Sequence, residues 1–167
     1  MSILRRILLA SFGLALLAAA SVHPVHAQTN VSARYARGQV WVTWTPSASP
    51  PETYAIYAST TPFTSTNQAT LVGRLFDYEW RPEMLILQAG PWQPRWVVPD
   101  PVAGVDTLAL NTSLFVDTPV TTATRYYAVV AWGDTVVTAG VNRSGPVTPV
   151  VSLADPDNRN RVQVRLY

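Results

Sequence analysis

Beyond residue 27 the charged side chains of this sequence are carboxylates and arginines alone, and these bound the chemistry it could do. His23 and His26 fall before that point, there is no cysteine, and all 12 basic residues are arginine. From Gln28 onward the chain therefore lacks a side chain that titrates near neutral pH and lacks a base to activate a hydroxyl nucleophile. The usual zinc, copper and thiol sites lose their main ligands for the same reason, and no metal or cofactor is expected. Asp77, Glu79 and Glu83 are close enough in sequence to suggest the paired carboxylates of glycoside hydrolysis, but solvated loop charges are the simpler reading. Asp155-x-Asp157-Asn158-x-Asn160 has calcium-type oxygens yet lacks the turn glycine and closing glutamate of an EF-hand, so it reads as a polar linker. Ser144-Gly145 has no histidine to act as its base. The expectation is a protein that is not an enzyme by itself.

Large aromatics offer the other chemistry, that of contact. Phe76, Tyr78, Trp80, Trp92 and Trp96 fall within about 74–112, together with Pro82, Pro91, Pro94, Pro99 and Pro101. Proline at this density limits strand extension and lowers the entropy of the unfolded chain, which predicts an ordered, irregular loop. Its tryptophans need cover, either as a small core against the rest of the domain or as a seam with a neighbour. Exposed instead, they would form a platform that stacks on sugars or another partner, with Trp80, Trp92 and Trp96 as contacts and Arg81 and Arg95 as polar partners. Three Asn-x-Ser/Thr triplets, at Asn30, Asn111 and Asn142, match the glycosylation sequon, but such triplets arise by chance in a Ser/Thr-rich chain.

The elements that must position these residues follow an export signal. Arg5 and Arg6 precede an apolar run from Ile7 to Ala20, and Val25-His26-Ala27 places small residues at −3 and −1 before Gln28. That is the pattern of a secretory signal peptide over 1–27, and the apolar run is short of the about 20 residues of a membrane span. A retained anchor is the alternative. Removal of Arg5 and Arg6 leaves as many arginines as carboxylates. No basic run exists to neutralise phosphates, so no nucleic-acid partner is expected. Without disulfides, the about 140 residues that remain must be stabilised by their core, and they suffice for one domain.

Alternation predicts an all-β domain. Gln39 to Trp44 places Val40, Val42 and Trp44 on one face, and Tyr54 to Ala58 places Tyr54 and Ile56 together. Further strands are predicted at Val31–Tyr35, Ala69–Leu75, Ser113–Asp117, Thr124–Trp132, Thr135–Val141 and Pro146–Val151. Short strands separated by Pro, Gly, Ser, Thr and Asn turns indicate a sandwich.

The segments Val40-x-Val42-x-Trp44-x-Pro46, Tyr54-x-Ile56-Tyr57, Tyr126-Tyr127-Ala128-Val129-Val130-Ala131 and Asn142-Arg143-Ser144-Gly145-Pro146-Val147, in that order, resemble a fibronectin type III domain. Tyr57 to Phe63 is similar to the bacterial version of its third strand and following loop. The resemblance covers about 31–151 and implies an immunoglobulin-like β-sandwich of fibronectin type III type, with Trp44 anchoring the core. Two departures stand out. The family's tyrosine near the start of the sixth strand is not assigned, because Tyr127, Val129 and Ala131 make one face, Tyr126, Ala128 and Val130 the other, and on the first alignment Arg125 occupies that position. The stretch is also longer than the roughly 100 residues of such a domain, with the surplus as an insertion at about 74–112.

After Val151 a polar stretch reads as a linker, and Val162 to Tyr167 alternates as a new strand. That strand either pairs back on the sandwich or opens a further domain, so 152–167 is set apart from the sandwich. The resemblance implies a secreted accessory, spacer or protein-interaction module at the cell exterior or in the periplasm, accompanying another exported domain or protein. The alternative is a carbohydrate-binding module that uses the aromatic insertion on a polysaccharide.

Overall fold

The computed structural model describes residues 28–36, 38–76, 94–100, 104–150 and 163–166. The segment read as a signal peptide (1–27), the stretch read as a linker and about half of the insertion lie outside these residues. The described chain is all-β. Strands β1 (Thr29–Ala36), β2 (Gln39–Thr45) and β7 (Ser113–Asp117) form one antiparallel sheet in the order β1-β2-β7. Strands β3 (Tyr54–Ser59), β4 (Thr70–Leu75) and β8 (Tyr126–Ala131) form a second in the order β4-β3-β8. The two pack face to face as a β-sandwich.

Side-chain alternation dictates the interior. Val40, Val42 and Trp44 of β2 and Val31 of β1 meet Tyr54, Ile56 and Ala58 of β3 and Tyr127 and Val129 of β8 in one buried cluster. Trp44 and Tyr54 meet edge to face at 5.4 Å between ring centroids, an arrangement favoured by the ring quadrupoles. At the β4 edge the sheets approach so closely that a Cβ added at Gly73 would fall 2.3 Å from Phe115 Cε2, which explains a glycine inside a strand. The adjacent irregularity in the β3–β4 register, between Ile56 and Tyr57, accommodates one extra residue, Val72.

Both outer faces are also covered. Strands β5 (Pro94–Asp100) and β6 (Gly104–Thr107) form a hairpin, and β9 (Gln163–Leu166) pairs with the other edge of β5, giving a third sheet in the order β6-β5-β9. Trp96 and Val98 of β5 pack with Trp41 of β2 and Leu114 of β7, on the face of the first sheet turned away from the sandwich core. An ion pair between Arg34 and Asp106 at 3.3 Å links the layers. On the second sheet's outer face, Ala55, Ala128 and Val130 are covered by Phe63, from the loop after β3, and by Val137.

Three expectations are corrected by these elements. The described part of the insertion is a hairpin, not an irregular loop. Its prolines do not interrupt it because Pro94 pairs only with β9 and Pro99 only with β6, while Val97 alone has both neighbours. A missing N–H is tolerated where a strand has only one partner. The second correction concerns Thr135–Val141, which forms isolated bridges and turns. The Asn142 side chain accepts from Thr138 N at 2.7 Å and donates to Val136 O at 3.0 Å, replacing ladder bonds with local ones. The third concerns Pro146–Val150, where pairing contracts to Val147 against Arg125, through reciprocal bonds of 2.8 and 2.9 Å. Flanking prolines at 146 and 149 have no N–H to extend that ladder.

Candidate functional site

The residues singled out from the insertion divide between two fates. Trp96 is 8 % exposed, packed on Trp41 and Leu114 beneath the hairpin, so its ring is unavailable for stacking on a ligand. Arg95, its neighbour on β5, is partly buried. Trp80, Arg81 and Trp92 lie outside the described residues, as do Asp77, Glu79, Glu83 and the Asp155–Asn160 stretch. The three-tryptophan platform is thus not assembled among the described residues. Of the sequon asparagines, Asn142 is buried with its amide engaged at Thr138 and Val136, which denies access to a glycan.

A different aromatic group reaches solvent. Trp132 follows β8 directly and is 49 % exposed, and Phe76 follows β4 directly and is 42 % exposed. Arg74 of β4 stands with them, its guanidinium carbon 3.4 Å from the Trp132 ring centroid and 4.7 Å from that of Phe76. Strand order explains the meeting. Arg74 is paired with Ala55, and Ala55 with Val130, so the three share the outer face near the end of the second sheet. Ala55 offers only a methyl between Arg74 and β8, leaving room for the long side chain to cross β3. Trp132 is fixed by its backbone, since its N–H donates to Thr53 O at 3.0 Å. The turn that follows is closed by Asp134 N donating to Ala131 O at 3.0 Å, with Gly133 at φ +98°.

Tryptophan density in the insertion is the stronger signal in the sequence, and it points away from Trp132. The signal available was the position of Trp132 beside Gly133-Asp134: a large aromatic at a turn, after a strand whose alternation already fills both faces. Arg74 could not be tied to it without knowing the register of β4.

A second polar group sits at the opposite end of β8. The Tyr127 hydroxyl donates to Asp117 Oδ2 at 2.6 Å, and Arg125 Nη1 approaches the same oxygen at 3.5 Å. Burial, the hydrogen bond to Asp117 and the charge of Asp117 together hold the Tyr127 phenol well above its ordinary range, with Arg125 opposing. A phenol so disfavoured from ionising is a structural donor rather than a base. Arg125 also borders an open cleft of about 550 Å³ lined by Ser59, Thr60, Asn67, Gln68 and Val72.

Among the described residues no three His, Cys, Asp or Glu side chains gather to hold a metal, and no helix is long and apolar enough to cross a membrane. No protein-family model, curated protein or solved structure matches the chain.

Proposed function

We propose that this chain is an exported, non-catalytic accessory or interaction module of fibronectin type III type, serving a larger assembly outside the cytoplasm. The observation that carries this reading is that both sheets have their outer faces covered by the chain's own residues, Trp96 and Val98 on one side and Phe63 and Val137 on the other. A sandwich covered in this way leaves its ends and edges, and the open cleft beside Arg125, as the places where a partner could meet it. The strand orders β1-β2-β7 and β4-β3-β8 support the resemblance, as does Trp44 in the common core. So does a buried tyrosine near the start of β8 whose hydroxyl reaches back to the end of β7, although it meets a carboxylate where the family pattern has backbone. The N-terminal pattern Arg5-Arg6, Ile7–Ala20, Val25-His26-Ala27 supports export.

The test has two parts. The protein is recovered from its producing cell by fraction and its N-terminus sequenced, and the purified protein is assayed on chromogenic glycosides and esters. The reading expects a chain that begins at Gln28 outside the cytoplasm and produces no turnover above buffer. A chain kept whole in the cytoplasm would overturn the export claim. Turnover removed by a single carboxylate-to-amide substitution would overturn the non-catalytic one.

A further inference from the structure

We infer that Trp132, Arg74 and Phe76 form a binding site for an acidic polysaccharide, a chain of sugar rings bearing carboxylates. The inference rests on the reading of the protein as an exported interaction module and gives that module a ligand class. Its ground is the juxtaposition of two half-exposed aromatic rings with a guanidinium stacked 3.4 Å from the Trp132 centroid.

Each part supplies something a uronic acid unit needs. A pyranose ring has a face of C–H bonds that packs on an exposed aromatic surface, which the half-exposed Trp132 presents. The carboxylate on that ring matches the planar fork of an arginine, which binds it with two parallel hydrogen bonds. The described ion pairs engage Arg34 with Asp106 and Arg125 with Asp117, whereas Arg74 enters no ion pair and no hydrogen bond among the described residues. Its guanidinium carbon lies over the Trp132 ring, a contact that uses the π-face of the group and not its N–H donors. Stacking also restricts the rotamers of a long side chain, so less order has to be imposed when a ligand arrives. Asp134, in the turn beside Trp132, forms no ion pair with Arg74.

The rest of the described surface points to the same place. The outer face of the first sheet is occupied by the β5–β6 hairpin, and the middle of the second sheet's outer face by Phe63 and Val137. Among the described residues the other exposed large apolar side chains are Leu71, Leu110, Val120, Val136, Val141 and Val150, none of them aromatic. A neutral glycan would use the rings but leave the guanidinium edge without a matching charge. A glutamate-rich peptide would use the guanidinium but offers no pyranose C–H face to set on Trp132.

The experiment titrates the purified protein with oligogalacturonate, following tryptophan fluorescence and heat. A neutral glucan of equal length and a glutamate-rich peptide serve as controls. Saturable binding to oligogalacturonate alone is expected, weakened by added salt. Trp132→Ala and Arg74→Ala should each weaken it about tenfold or more, and Arg74→Lys should recover only part of the loss because it keeps the charge without the fork. Both side chains lie on the surface, and an unchanged urea midpoint in each variant verifies that the fold persists. No binding, equal binding by the Trp132→Ala variant, or equal binding of the glucan or the peptide would each overturn the inference. Any of these leaves the module reading intact, because export and lack of turnover are measured separately.

Discussion

Tyr127 ties the two sheets together through a single oxygen. Its ring lies in the common core, its hydroxyl donates to Asp117 at the end of β7, and Arg125 holds the same carboxylate from the other side. Tyr127→Phe should cost about 1–3 kcal/mol at neutral pH, because it leaves a mostly buried carboxylate oxygen short of its closest donor. The pH dependence has a definite sign. The folded-state pKa lies above that of an unfolded tyrosine, about 10, so the contribution is complete below that value. Above it the unfolded chain releases a proton that the folded chain retains, and stability falls as pH rises. Urea midpoints taken from neutral to alkaline pH should therefore show a steeper alkaline decline in the native sequence than in Tyr127→Phe. Parallel declines would deny the phenol this role. Which tyrosine pointed inward was not legible from the sequence. All of β8 after Tyr126 is buried, on both faces, so alternation between apolar and polar residues is lost.

The elements were legible to the extent that each strand has one wet face or a clear turn beside it. Strands β2, β3, β4 and β7 fall where alternation placed them, and Val40, Val42 and Trp44 share the interior as their spacing requires. What the sequence concealed was long-range cover. Alternation puts Trp41 on the face of β2 opposite Val40, Val42 and Trp44, and it is buried there because a hairpin more than fifty residues later lies over it. No local period reports such a contact. The prolines in that hairpin pointed away from strand structure, and only the stagger of β6 and β9 along β5 removes the conflict. Gly73 belongs to the same scale. Gly73→Ala would push a methyl into the Phe115 ring and force the sheets apart at the β4 edge, at a cost of about 1–3 kcal/mol by overpacking. A urea titration checks this, and an unchanged midpoint would mean that the ring yields without loss. The strand pairing of β9 is a second element-level claim. Truncation after Val150 removes the partner of Pro94–Val97 and leaves that edge of β5 open. Size-exclusion chromatography should then show self-association that the full chain lacks; an unaltered elution profile would deny that β9 guards the edge.

At the scale of the whole molecule, three sheets stack so that tryptophan is sorted by depth. Trp44 lies between the two sheets of the sandwich, Trp41 and Trp96 lie between the first sheet and the hairpin, and Trp132 faces water. This sorting makes the described chain a self-covered scaffold that leaves one large aromatic, Trp132, exposed at the end of β8. The sequence held the components of that contact but not their meeting, since Arg74 and Trp132 are brought together only by the β4-β3-β8 order. The most direct test is hydrogen exchange at the tryptophan indole N–H groups, resolved by NMR with one tryptophan replaced at a time for assignment. The indole nitrogens of Trp44 and Trp96 have essentially no solvent contact, so their protons should persist long after that of Trp132 has exchanged. Exchange of the Trp96 proton as fast as that of Trp132 would mean that the hairpin does not cover the first sheet, and the account of a covered scaffold with Trp132 exposed at the end of β8 would fail.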